Sequence, residues 1–93
     1  MAPEMVDKRS LILEEANRCV TSDRNLKYGE PEDNFKEIAD LWSAYLGHDV
    51  TSINVAMMMV LTKVARSHSS PDLADHYIDM AGYAAAGYAV ATK

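Results

Sequence analysis

The chain has 93 residues, with 14 acidic and nine basic side chains and a formal net charge of -5. The bases are scattered, so no stripe can neutralise several phosphates of a duplex at once, and duplex nucleic acid is excluded as a partner. The chain is long enough for one domain with a modest core, and a composition that is 48% hydrophobic but only 8% aromatic, rich in alanine and methionine, predicts an all-α fold.

Four helices are expected, over about residues 10–20, 31–46, 52–67 and 71–91, packed as a compact bundle. The first is the least periodic, with Leu11, Ala16 and Cys19 on one side. Cys19 is the one cysteine of the chain; it has no partner for an internal disulfide, fits a reducing compartment and is expected to pack. The second opens on Pro31, a residue suited to a first helical position, followed by Glu32 and Asp33 at the positive end of the dipole, and Gly47 closes it. Its expected apolar face is Phe35, Ile38, Leu41, Trp42, Tyr45 and Leu46.

The third helix starts after Thr51 or Ser52, either of which can cap it. From Ile53 to Leu61 only Asn54 is polar, so it is expected to be central and buried on most sides, with Met57, Met58 and Met59 in the core. Ser70, Pro71 and Asp72 read as cap, first position and acidic first turn of the fourth helix. Gly82 and Gly87 lie inside that helix and call for close approach by another helix, of the same chain or of a second copy. No run of apolar residues reaches the roughly 20 needed to cross a bilayer, and the first residues lack the pattern of a signal peptide. A cytoplasmic protein with no membrane partner is expected.

If helices three and four form a hairpin turning near Ser69, Arg66 faces Asp72, Lys63 faces Asp75 and Met59 faces Asp79. Asp72, Asp75 and Asp79 share one face of helix four. Two readings stand side by side: a set of inter-helix ion pairs, or a site in which Lys63 and Arg66 meet a phosphate while the aspartates hold a divalent ion or hydrogen-bond a base or ribose. Asp33, Glu37 and Asp40 form a second acidic set on helix two, either a solvated face or part of a magnesium site. His48, His68 and His76 share no ligand spacing, and neither a nucleophile elbow nor a glycine-rich phosphate loop is present.

Residues 28–47 (YGEPEDNFKEIADLWSAYLG), 55–66 (VAMMMVLTKVAR) and 75–85 (DHYIDMAGYAA) resemble a small helical domain family of unknown function encoded mainly by tailed bacteriophages and prophages. The resemblance runs from about residue 11 to 86. Its motif positions fall on Asp23, Arg24, Tyr28, Gly29, Asn34, Phe35, Trp42, Tyr45, Lys63, Arg66, Asp75, Asp79, Gly82 and Tyr83, with Asn54 standing where the family often has Asp. More distantly, the layout is similar to the MazG-like all-α nucleoside triphosphate pyrophosphohydrolases. Their Glu-Glu-x-x-Glu motif is absent here, although Glu37-x-x-Asp40 and Asp72-x-x-Asp75 remain.

The resemblance implies a phage-encoded nucleotide-binding protein in the bacterial host cytoplasm, a sponge for a host defence signalling nucleotide, with no cofactor and self-association through helix four. The ligand residues would be Arg24, Tyr28, Asn34, Lys63, Arg66, Asp75, Asp79 and Tyr83, with Arg24 and Tyr28 closing over the start of helix two. One alternative is a MazG-like hydrolase holding magnesium on Glu37, Asp40, Asp75 and Asp79. Another is a protein-binding inhibitor of a host factor.

Overall fold

The computed structural model describes residues 7–21 and 31–93. Within them lie four α-helices and no strand: α1 (Lys8–Thr21), α2 (Pro31–Leu46), α3 (Ser52–Ser67) and α4 (Ala74–Ala91). The all-α expectation holds. The segment with Arg24, Tyr28 and Gly29 lies outside the described residues.

Each described helix end has a local cause. Asp7 precedes α1, and its carboxylate accepts from the backbone N-H of Arg9 at 2.9 Å, an N-cap geometry. Helix α2 closes at Gly47, whose φ of 65° is the left-handed value that glycine adopts without strain. The turn beyond it is tied by Ser43, whose Oγ accepts from the N-H of Val50 at 2.8 Å and lies 3.2 Å from the Val50 carbonyl oxygen. Helix α3 opens on a reciprocal box: Asn54 N donates to the Thr51 hydroxyl at 3.1 Å, and Thr51 N donates to the Asn54 side-chain oxygen at 3.0 Å. An amide oxygen accepts this bond as a carboxylate would, so Asn54 keeps the box without the charge.

The start of α4 differs from expectation. The helix begins at Ala74, and Pro71 and Asp72 form a turn before it. Ser70 is not the cap, because its hydroxyl lies 2.7 Å from His76 Nε2 and 3.4 Å from the Arg66 carbonyl oxygen. Tyr77 pins the same turn by donating to the Pro71 carbonyl at 2.6 Å.

Helix α4 is the hub. It packs most extensively on α3, then on α1, and touches α2, while α2 packs mainly on α3. Phe35, Ala39, Val55, Ala56 and Ala86 form the core, with Ile38, Trp42, Val50, Met59, Tyr83 and Val90 around it. Both interior glycines of α4 face helices of the same chain. A Cβ on Gly87 would lie 3.1 Å from both Ala56 Cβ and Met57 Cε, and one on Gly82 would lie 3.6 Å from Val20 Cγ1.

Three expected faces are corrected. On α3 only Val55 and Ala56 are fully buried, whereas Met57 and Met58 stay 42% and 40% exposed; α1 lies on α4, so among the described residues no helix covers one side of α3. On α2, Leu41, Tyr45 and Leu46 are exposed because the stripe of Phe35, Ile38, Ala39 and Trp42 is the side that meets the core. Cys19 is exposed as well, since Ala16 is the residue by which α1 reaches the interior.

Two glycine substitutions should act with opposite signs. Gly82→Ala adds helix propensity at an ordinary contact distance and should stabilise by about 0.5–1 kcal/mol. Gly87→Ala meets the rigid Cβ of Ala56 and should cost about 1–2 kcal/mol net. Thermal unfolding followed by circular dichroism reads both, and a gain for Gly87→Ala would refute the close contact.

Acid should loosen the start of α1. The hydrogen bonds that Asp7 accepts from the Arg9 side chain and backbone hold its carboxyl below the ordinary 3.8. The cap is therefore fully present above pH 3.8 and lost as pH falls through the lower folded value. Asp7→Asn should remove that part of the acid dependence of helicity, measured by circular dichroism between pH 2 and 5.

Candidate functional site

The polar residues of the described chain converge where the carboxyl-terminal half of α3 meets the first half of α4. On α4, His76, Asp79, Tyr83 and Ala86 recur at helical spacing and form the inward face. Each polar member has a different partner. His76, 9% exposed, meets the Ser70 hydroxyl. Asp79 Oδ2 accepts from Lys63 Nζ at 2.9 Å. Tyr83 lies against Phe35, with ring centroids 6.2 Å apart and planes tilted by 35°.

The Lys63–Asp79 pair is the electrostatic centre of this seam. The Lys63 side chain is 13% exposed and that of Asp79 39%, and a lysine so enclosed requires a partner. Among the described residues the other ion pairs join neighbours in sequence on exposed surface: Asp7 with Arg9, Glu15 with Arg18, and Lys36 with Asp40. Such pairs contribute little.

The register of the hairpin corrects the expected pairing. Lys63 meets Asp79 rather than Asp75, and Arg66 makes no ion pair with Asp72. The turn runs over residues 68–73, because Ser70, Pro71 and Asp72 lie outside α4. Its midpoint moves past Ser69, and each α3 residue faces α4 about one turn later than expected.

Among the expected ligand residues, Lys63, Asp79 and Tyr83 stand together on the seam. Asn34 is exposed in the first turn of α2, next to the buried Phe35 that touches Tyr83. Asp75 and Arg66 are exposed at the turn end of the hairpin; the Arg66 carbonyl accepts from Ser69 at 3.2 Å. Arg24 and Tyr28 lie outside the described residues. The acids proposed for magnesium do not assemble. Glu37 is exposed, Asp40 is held by Lys36, Asp79 is held by Lys63, and among the described residues no three His, Cys, Asp or Glu side chains group in a way that could hold a metal ion.

His76 and Ser43 are the structural polar residues that sequence reasoning missed. The signal for His76 was its spacing of three and seven from Asp79 and Tyr83, which marks it as inward-facing. Ser43 carries no comparable signal, since its partner Val50 lies across a turn.

The pair can be tested by unequal substitutions. Asp79→Asn strands the enclosed Lys63 charge and should cost about 1–2 kcal/mol, whereas Lys63→Met removes the charge, keeps the stem volume and should cost less than about 1 kcal/mol. Chemical denaturation of the two single variants and the double variant measures the coupling; equal losses would show that the ammonium is not enclosed.

No helix among the described residues is long and apolar enough to cross a membrane. No solved structure matches the chain. It is similar to the Gene 55 protein of Mycobacterium phage D29, 48% identical over 73 residues, and to the Gene 55 protein of Mycobacterium phage L5, 39% identical over 74 residues. These alignments take in 78% of the chain and 48% and 47% of the two relatives, so the chain spans about half the length of the curated relatives it matches. The model of the family described as "Domain of unknown function (DUF6378)" matches residues 11–91, most of α1 and all of α2, α3 and α4, and the chain belongs to that family.

Proposed function

We propose that the protein is a phage-encoded nucleotide-binding protein that sequesters a signalling nucleotide of the host's defence. The observation that carries this reading is the Lys63–Asp79 pair, enclosed on the lysine side and open on the aspartate side, one turn from Tyr83. A lysine ammonium has three donors; Asp79 takes one, which leaves donors for a phosphate oxygen. Asp79, with a carboxylate oxygen still open, accepts from a base or ribose. Tyr83 and the first turn of α2 with Asn34, at the positive end of that helix's dipole, complete a surface suited to an anion beside an aromatic ring. Arg66 and Asp75 lie at the hairpin end of the same seam, and the family motif adds Arg24 and Tyr28.

Two features favour binding over hydrolysis. The acids of α2 and α4 form no metal-holding group among the described residues, and the carboxylate nearest the proposed ligand is already committed to Lys63. The similarity to mycobacteriophage proteins supports the phage setting.

A mass balance tests the proposal. The protein is incubated with magnesium, nucleoside triphosphates and cyclic oligonucleotides, then filtered, and both the filtrate and the heat-released fraction are chromatographed. One compound should leave the filtrate and return intact on heating, with depletion weakened at least about tenfold in Lys63→Met. Conversion to monophosphate and pyrophosphate would establish a hydrolase instead. An unchanged panel would overturn nucleotide binding.

A further inference from the structure

Among the described residues, one face of α3 has no helix packed against it. Ile53, Met57, Met58, Leu61 and Val64 are 42%, 42%, 40%, 63% and 47% exposed, and at 100° per residue they fall with Ala65 within one side of the helix, Met57 at its edge with its methyl turned to Gly87 of α4. Asn54, engaged with Thr51, is the one polar residue among them. The opposite side holds Val55, Ala56, Met59 and Lys63 against α2 and α4. Over residues 53–61 helix α3 is thus apolar on both sides apart from Asn54, a pattern of helices covered on more than one side.

We infer that this face is covered by α3 of a second copy, packed antiparallel across a two-fold axis close to Leu61. The area fits such a partner. The exposed fractions of these side chains amount to roughly 500 Å², which matches the apolar share of a standard interface of about 800 Å² per partner. That is near the upper end for the largest apolar patch on an ordinary monomer.

The distribution of side-chain size selects the antiparallel arrangement. Long side chains, Ile53, Met57 and Met58, occupy the amino-terminal half of the face, and shorter ones, Val64 and Ala65, the other half. A two-fold through Leu61 sets Met57 and Met58 of each copy against Val64 and Ala65 of the other, long against short, whereas a parallel pair sets long against long. Antiparallel dipoles also attract. No charged residue occurs in α3 before Lys63, which is turned to Asp79, so pairing strands no ion.

This inference moves self-association from α4 to α3. The glycines of α4 are occupied within the chain by Val20, Ala56 and Met57, so they do not provide the contact between copies.

Sedimentation of the full chain from about 1 to 200 μM should give a mass of twice 10.3 kDa at the upper end. Leu61→Glu should return it to a monomer with unchanged helical circular dichroism, while Leu41→Glu, on the exposed side of α2, should leave the dimer intact. In a Cys19→Ser background, Leu61→Cys should cross-link to itself on mild oxidation and Ile53→Cys should not. A monomeric wild type at all these concentrations would overturn the inference, and so would a dimer that survives Leu61→Glu or cross-links at both positions. Should Leu61→Glu fail to fold, the wild-type mass and the cysteine pair still decide.

Discussion

The close contact between Gly87 of α4 and Ala56 of α3 is the constraint on which the rest of the fold depends. With no Cβ on Gly87 and only a methyl on Ala56, the two helix axes come near enough for α4 to act as a common wall. The seam of His76, Asp79 and Tyr83 then lies within reach of Ser70, Lys63 and Phe35. A wider spacing would leave the Lys63 ammonium enclosed but unpaired, and an unpaired enclosed charge is among the costliest defects a small domain can carry.

On the seam His76 and Asp79 face inward and each has a polar partner, and among the described residues no buried side-chain nitrogen or oxygen lacks a hydrogen bond. Such a row restricts the sliding of α4 along α3, because a shift of one turn breaks the ion pair, the serine-histidine contact and the ring contact together. Apolar packing alone, here mostly alanine, glycine and methionine, would define that register poorly. The same fixed row presents a cation, a carboxylate and a phenol at set positions, which is what recognition of a small polar ligand needs.

Much of the architecture was legible because local chemistry agreed with tertiary structure. Gly47, Thr51 and Pro31 marked helix ends where they occur, since each acts on backbone within a few residues of itself. The start of α4 was misread because Ser70 had two possible partners, the following N-H groups or His76, and only the packed structure decides between them. That single choice moved the hairpin midpoint and with it the partner of Lys63. The burial of α3 and of the far side of α2 was overestimated for a different reason. Hydrophobic periodicity reports which residues seek cover, not how many neighbouring helices the chain supplies.

Val20 and Phe35, near the end of α1 and in the first turn of α2, rest against Gly82 and Tyr83, adjacent residues of α4. The ends of α1 and α2 thus meet on one patch of α4, whereas the turn between α3 and α4, stitched by Ser70 and Tyr77, admits no change of length without dismantling the seam.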